Sequence, residues 1–348
     1  IDLAKSILGT LPGGLAHVNI LASMLFGAIS GSAVADTSAL GSILMPVMKE
    51  KGYDADYAVN VTVTSSIAGV VIPPSHNMIL YAVAAGGVSV SQLFMAGVVP
   101  GVLMCLCLGV VAWWIAVRRG YPSEEFPGWR ALFISFAAAI PGLLTAVIIV
   151  GGVLSGVMTV TESGAFGAIW ALLVTVFVYR ELTWPGFRLA VIAAVRTTAL
   201  VMILVATASS FAYLLALYRV PDNLATFVTS ISSNPIVILL LLNLTLLVLG
   251  MIMDMAALIL ICTPIFLPVV VGLGMDPVQF GVIMMMNLGL GLCTPPVGAC
   301  LFVGCVVGGI RIDQAVRTIW PFYLAILVAL MLVTYVPAIS LTLPNLLK

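Results

Sequence analysis

Charge is what this chain most lacks. Of 348 residues only 13 are Lys or Arg and 13 Asp or Glu, 7% in all, against about 25% in an ordinary soluble domain. So few charges cannot cover a soluble surface of that size. With 62% hydrophobic residues and a mean hydropathy of +1.25, the chain reads as an all-α polytopic membrane protein. A net charge of zero leaves no electrostatic footprint for nucleic acid. Histidine is scarce too: His17 and His76 are the two. The six cysteines (Cys105, Cys107, Cys262, Cys293, Cys300, Cys305) therefore have no zinc spacing and read as small hydrophobes in apolar runs. The methionines of "IMMMN" (283–287) read the same way. A charged n-region and cleavage site are also missing. The chain opens at Ile1, and its natural N-terminus is expected upstream.

Apolar runs of spanning length are abundant. A crossing helix needs about 20 such residues, and spans are predicted at 57–84, 93–117, 132–157, 163–179, 190–217, 277–307 and 320–343. Two stretches, 12–48 and 235–273, are too long for one helix and carry small polar residues at their middles, "ISGSAVADTS" and "GMIMDMA". Each half is roughly 17 residues, near the lower limit for crossing. They read as re-entrant hairpins, whose irregular tips are tolerated only under protein or beside water. Glu162 in "TVTESGAF" reads chiefly as a helix cap. The polar connectors "YPSEEFPGWR" and "RELTWPGFR" read as interfacial loops.

The chain also repeats itself. Adding 222 carries Pro46 to Pro268, Gly52 to Gly274, Asp54 to Asp276, Gly69 to Gly291, Pro73 and Pro74 to Pro295 and Pro296, and Gln92 to Gln314, without a gap. The unit is hairpin, loop, broken helix and span. The first copy covers 12–117, connecting scaffold helices cover 118–217, and the second copy covers 234–343. Five predicted spans separate the two hairpins. An odd number inverts the second copy, so the pattern predicts an inverted repeat. Lys and Arg cluster in the loops of one side, which places the first hairpin on the cytoplasmic side and the second on the opposite side.

Each copy breaks its helix at a Pro-Pro pair, "VVIPPSHN" and "LCTPPVGA". Proline has no N–H and unwinds the preceding turn, and carbonyls freed at mid-membrane suit a hard cation such as Na+. One candidate Na+ site joins Gly27 and Ser30 at the first tip with Gly69, Ile72 and Pro74 at the first break. The other joins Gly250 and Met253 with Gly291, Thr294 and Val297. Candidate substrate contacts are Ser30, Gly31, Ser32, Asp36, Ser75, His76, Asn77, Asp254 and Pro295, near half-helix N-termini that favour an anion. Plain kinks without a ligand are the competing reading of the breaks. For Asp36 and Asp254, which both follow a tip, a helix N-cap competes with a ligand role. His76 has the same two readings.

These segments resemble a known family. "FGAISGSAVADTSALGSILMPVM", "SIAGVVIPPS", "NPIVILLLLNLTLLVLGMIMDMAALILICTPIFLPV" and "GLCTPPVG" look like the large membrane subunit of TRAP transporters, the DctM family, over the whole chain. The resemblance implies Na+-coupled uptake of an organic acid (a C4-dicarboxylate, a 2-oxo acid, or sialic or another sugar acid) by an elevator mechanism in the bacterial inner membrane. It also implies about two Na+ sites, a small four-helix membrane partner and a periplasmic substrate-binding protein. The family's additional N-terminal spans are absent from the sequence given. Where the family often has a small polar residue before the tip, this chain has Gly27, which can offer a carbonyl and no side chain. A stand-alone carrier of the same superfamily is the alternative. A remote one is an intramembrane serine protease, because "AISG" resembles a rhomboid serine loop with His76 as a possible base.

Overall fold

The computed structural model describes residues 2–123, 128–220, 223 and 234–346, without the side chains of Asp2, Ala28, Ile29 and Ala216. Residues 124–127 of the acidic connector and Lys348 lie outside the described residues. Every regular element among the described residues is a helix, the form in which an apolar segment satisfies its own backbone in lipid.

A short helix α1 (Asp2–Leu8) leads into the first hairpin, α2 (Gly14–Ser30) and α3 (Ala33–Glu50). The broken helix follows as α4 (Ala55–Ser65), α5 (Ala68–Val71) and α6 (His76–Ala85), bent by 48° at the proline pair. Then come α7 (Val90–Arg119), α8 (Trp129–Leu154), α9 (Val160–Leu173, continued by a π turn to Val178) and α10 (Trp184–Leu217). The second hairpin is α11 (Pro235–Gly250) and α12 (Met255–Gly272), and its broken helix is α13 (Pro277–Leu292) and α14 (Ala299–Gly308). The chain ends in α15 (Ile312–Thr318), α16 (Trp320–Tyr335) and α17 (Pro337–Leu346). Among the described residues five helices are long and apolar enough to cross a membrane, or up to eight if each bent pair counts as one. The chain is a multi-pass membrane protein.

Local chemistry sets the helix starts. Ser32 accepts from the Ala35 amide at the head of α3, and Asp254, 222 residues on, accepts from the Ala256 amide at the head of α12. Thr159 and Glu162 form a capping box on α9, as the sequence suggested for Glu162. Helix α10 starts six residues before the predicted span because Pro185 fits its first turn. The last span is not continuous: it bends by 62° between Tyr335 and Pro337.

The two copies share their helix boundaries and their packing. Helix α12 begins and ends 222 residues after α3. The second helix of each hairpin lies on the far half of the other copy's broken helix, α3 on α14 and α12 on α6. The Tyr57 hydroxyl donates to the Ala112 carbonyl at 2.8 Å. At the equivalent place Gln279 Nε2 donates to the Thr334 carbonyl at 3.1 Å and to Val333 at 3.0 Å. Pro337 cannot donate back to Val333, so Gln279 satisfies a buried carbonyl that would cost about 1–3 kcal/mol if left alone.

The core runs through the breaks and is closed by Tyr57, Tyr81, Phe94, Phe280 and Phe322. Met284, Met285 and Met286 are fully buried in it, and five of the six cysteines are buried. Helices α8 and α10 instead leave most of their apolar surface exposed. At one end of the molecule Arg119 bridges Asp54 at 2.9 Å and Asp56 at 3.2 Å, and the Tyr121 hydroxyl donates to Asp54 at 2.7 Å. Burial pushes the Asp56 carboxyl up, but hydrogen bonds from Arg119 and Thr318 outweigh it and hold the group below its usual value.

Candidate functional site

The tip of each hairpin presses on the break of its own copy, and glycine permits the contact. A Cβ built on Gly27 would lie 2.3 Å from Gly69 Cα and 2.7 Å from its nitrogen. One on Gly291 would lie 2.5 Å from the Gly250 carbonyl carbon and 2.7 Å from its Cα. Backbone meets backbone twice: Gly69 and Gly291 are related by the offset of 222, and Gly250 lies 223 residues after Gly27. Pro73 and Pro74 bring no N–H, so the carbonyls of Gly69 and Val70 lose their helical donors. Pro295 and Pro296 do the same for Gly291 and Leu292.

At the first tip, Gly31 turns the chain in the left-handed region at φ 63°, where glycine carries no Cβ penalty. Its amide donates to the Gly27 carbonyl at 2.8 Å, so one of that oxygen's two lone-pair positions is already used. The Ser30 hydroxyl accepts from the Ser32 amide at 3.4 Å. Pro74 brings its carbonyl to 3.5 Å from a Cβ built on Gly31. Ile72 is buried at the start of the break, with its amide donating to Ala68.

The second tip is more open. Met253 and Val297 are 41% and 49% exposed, and the Val297 amide donates to the Met251 carbonyl at 3.1 Å, which ties the tip to the far side of the break. The Thr294 hydroxyl donates to Leu290 at 2.7 Å, and the Gly291 carbonyl accepts the Thr294 amide at 3.0 Å. The carbonyl of Cys293 is taken by the Tyr323 hydroxyl. Among the described residues no cluster of three or more His, Cys, Asp or Glu exists. The oxygens at both breaks are those of carbonyls and hydroxyls, which are hard ligands.

The candidate substrate residues divide by access. His76 is exposed at the head of α6, and its ring nitrogen lies 3.3 Å from a Cβ built on Gly31, within electrostatic reach of Asp254. Asp254 is exposed, Pro295 half-buried and Gly31 buried. Ser75, Asn77 and Asp36 are buried, Asp36 and Ser75 completely. The N-cap reading holds for Asp254, which takes the place of Ser32 and caps α12, and not for Asp36, which faces inward beside Ser23 with neither oxygen in a hydrogen bond of normal geometry.

Several residues around the breaks were not visible as site residues. Ser23 and Ser65 meet at 2.9 Å, and Asn19 donates to Thr62 at 2.6 Å. Asn287, 222 residues after Ser65, donates to Asn243 at 2.8 Å. Each pair fastens the first hairpin helix of its copy to the near half of the broken helix. Asn19 and Ser23, four apart on α2, are the sequence signal for the first pair.

A family model described as the tripartite ATP-independent periplasmic transporter DctM component matches residues 1–339. An uncharacterised protein, YgiK, of Salmonella typhimurium is 44% identical over 346 residues, 99% of this chain and 79% of that protein. The C4-dicarboxylate TRAP transporter large permease protein DctM of Pseudomonas aeruginosa is 40% identical over 345 residues, 99% of this chain and 81% of that protein. The sialic acid TRAP transporter large permease protein SiaM of Vibrio cholerae is 39% identical over 345 residues, with the same two coverages of 99% and 81%.

Proposed function

The chain belongs to the DctM family of tripartite ATP-independent periplasmic transporters, and from that premise we propose Na+-coupled uptake of an organic acid by its paired hairpins. The family is one of transporters and not enzymes, so Ser30 and His76 are not a protease pair. The observation that carries the proposal is the matched contact of tip glycine on break glycine, Gly27 on Gly69 and Gly250 on Gly291. Two sets of freed carbonyls beside these contacts each hold one Na+, the first with Ser30, Ile72 and Pro74, the second with Met253, Thr294 and Val297. Their charge, with the N-terminus of α6, neutralises the substrate carboxylate near His76 and Pro295.

The two copies lie inverted in the inner membrane, the first hairpin toward the cytoplasm. They move as one elevator unit past a static scaffold. The exposed faces of α8 and α10 support docking of a small membrane subunit there. A periplasmic binding protein delivers the acid. The relatives' names span C4-dicarboxylates, sialic acid and the sulfonate isethionate, so an organic acid anion is the shared chemistry. The test is uptake into proteoliposomes holding the full-length large subunit and its small partner, with and without the binding protein. Uptake only with all three is expected, whereas uptake without the binding protein would establish a stand-alone carrier.

A further inference from the structure

Away from both breaks, a cavity of about 470 Å³ opens between α2 and α7. His17 and Met24 line it from α2, and Leu106, Gly109, Val110 and Trp113 from α7. The helices run antiparallel here, His17 level with Gly109 (3.7 Å from a Cβ built there to His17 Nδ1). The α7 lining runs from Val102 to Trp113, about 16 Å at a rise of about 1.5 Å per residue, so the cavity is a slot along the helix axes.

No charged residue lines the slot, and its polar side chain is His17. That imidazole is only 8% exposed, and its Nε2 has no hydrogen-bond partner. Such a buried polar group is unfavourable unless something satisfies it. The remaining wall is aliphatic and aromatic, and a dry apolar cavity of about 150 Å³ already takes benzene. The slot is about three times that size and open at its rim, where Leu106 and Val110 are 63% and 66% exposed.

We infer that this slot is a lipid site that holds one phospholipid acyl chain, its ester carbonyl accepting a hydrogen bond from His17. The hydrocarbon fills the wall from Trp113 toward Met24, and the headgroup stays outside because no cation lines the slot. Met24 stands one turn before Gly27 on α2, so the bound chain braces the hairpin arm that presses on the first break.

Native mass spectrometry of the full-length protein, freed from bilayer lipid by detergent, tests this. Wild type is expected to retain one phospholipid per chain. Gly109→Leu fills the slot from α7 and should lose it, and His17→Phe, which keeps the ring without its N–H, should lower the occupancy several-fold. A photo-crosslinking residue at Leu106 gives a readout in the otherwise native chain and should label lipid. Full delipidation of wild type, equal retention by G109L, or crosslinks at Leu106 to another segment of the chain and none to lipid would each overturn the inference.

Discussion

Gly27→Ala is the sharpest perturbation of the first proposed Na+ site. The new methyl carbon would lie 2.3 Å from Gly69 Cα and 2.7 Å from Gly69 nitrogen. Ordinary carbon contacts sit at about 3.5–4.0 Å, so the two backbones must part by more than about 1 Å. Backbone atoms have no rotamer to turn aside, and overpacking of this kind costs about 1–3 kcal/mol. The cost falls on the state in which the tip is closed on the break, the state that holds the cation. A tip that has lifted relieves the clash, so the substitution shifts the population away from the loaded form. Converted to affinity, that is about a five- to 150-fold weaker apparent Na+ affinity. Uptake by proteoliposomes measured against external Na+ reads it directly: half-saturation should rise, with much of the maximal rate recovered at high Na+. Gly151→Ala is the control, since nothing lies within 4 Å of a Cβ at that position. If G27A folds and its half-saturation stays within about twofold of wild type, about 0.4 kcal/mol, the tip-on-break contact does not hold the cation.

Other outcomes follow from the same geometry. Gly291→Ala, whose Cβ would lie 2.5 Å from the Gly250 carbonyl carbon, should weaken a second Na+ step, and the cooperativity of uptake against Na+ should fall. Ser30→Ala should weaken the Na+ dependence of uptake while leaving binding-protein docking unchanged, as a pull-down would show. Gln279→Leu strands the Val333 and Thr334 carbonyls and should destabilise the fold by about 1–3 kcal/mol, seen as a lower melting temperature in detergent. Arg119→Ala should cost about 1 kcal/mol or less at pH 7, because the pair is partly exposed. Asp56 has a depressed folded pKa, so its contribution is present above the unfolded value of about 3.9 and fades as the pH falls through the folded one. The gap between wild type and R119A in melting temperature should therefore narrow on going from pH 7 to below pH ~3.9.

Much of this molecule was legible because its key features are backbone features. Pro73, Pro74, Pro295 and Pro296 announce freed carbonyls without any knowledge of packing, since proline lacks a donor whatever surrounds it. Gly69 and Gly291 were legible through the offset of 222, and Gly27 and Gly250 only through their place beside a tip, since the offset carries Gly27 to Leu249. Side-chain direction was harder. Asp36 and Asp254 look alike in sequence, but one lies in the fourth residue of α3 and faces α2, while the other precedes α12 and caps it. The rotation of a helix about its axis is set by its neighbours, and an apolar segment with little amphipathic pattern gives no face to read. The bend at Val336 was hidden for a related reason. Pro337 marked a possible kink, but the Gln279 side chain that makes it tolerable comes from 54 residues away in sequence. Tyr323, which occupies the Cys293 carbonyl, was invisible because only the packing of α16 on α13 brings it there.

The central claim is that two freed-carbonyl sites couple Na+ to the movement of an organic acid. It is tested most directly by imposing an inward Na+ gradient on sealed proteoliposomes that carry the complete transporter and the loaded binding protein, with pH and membrane potential clamped. The account predicts that accumulation of the acid follows the gradient and needs more than one Na+ per substrate. It predicts also that G27A and G291A each shift that accumulation to higher Na+. Accumulation that proceeds equally well in choline as in Na+ would contradict it.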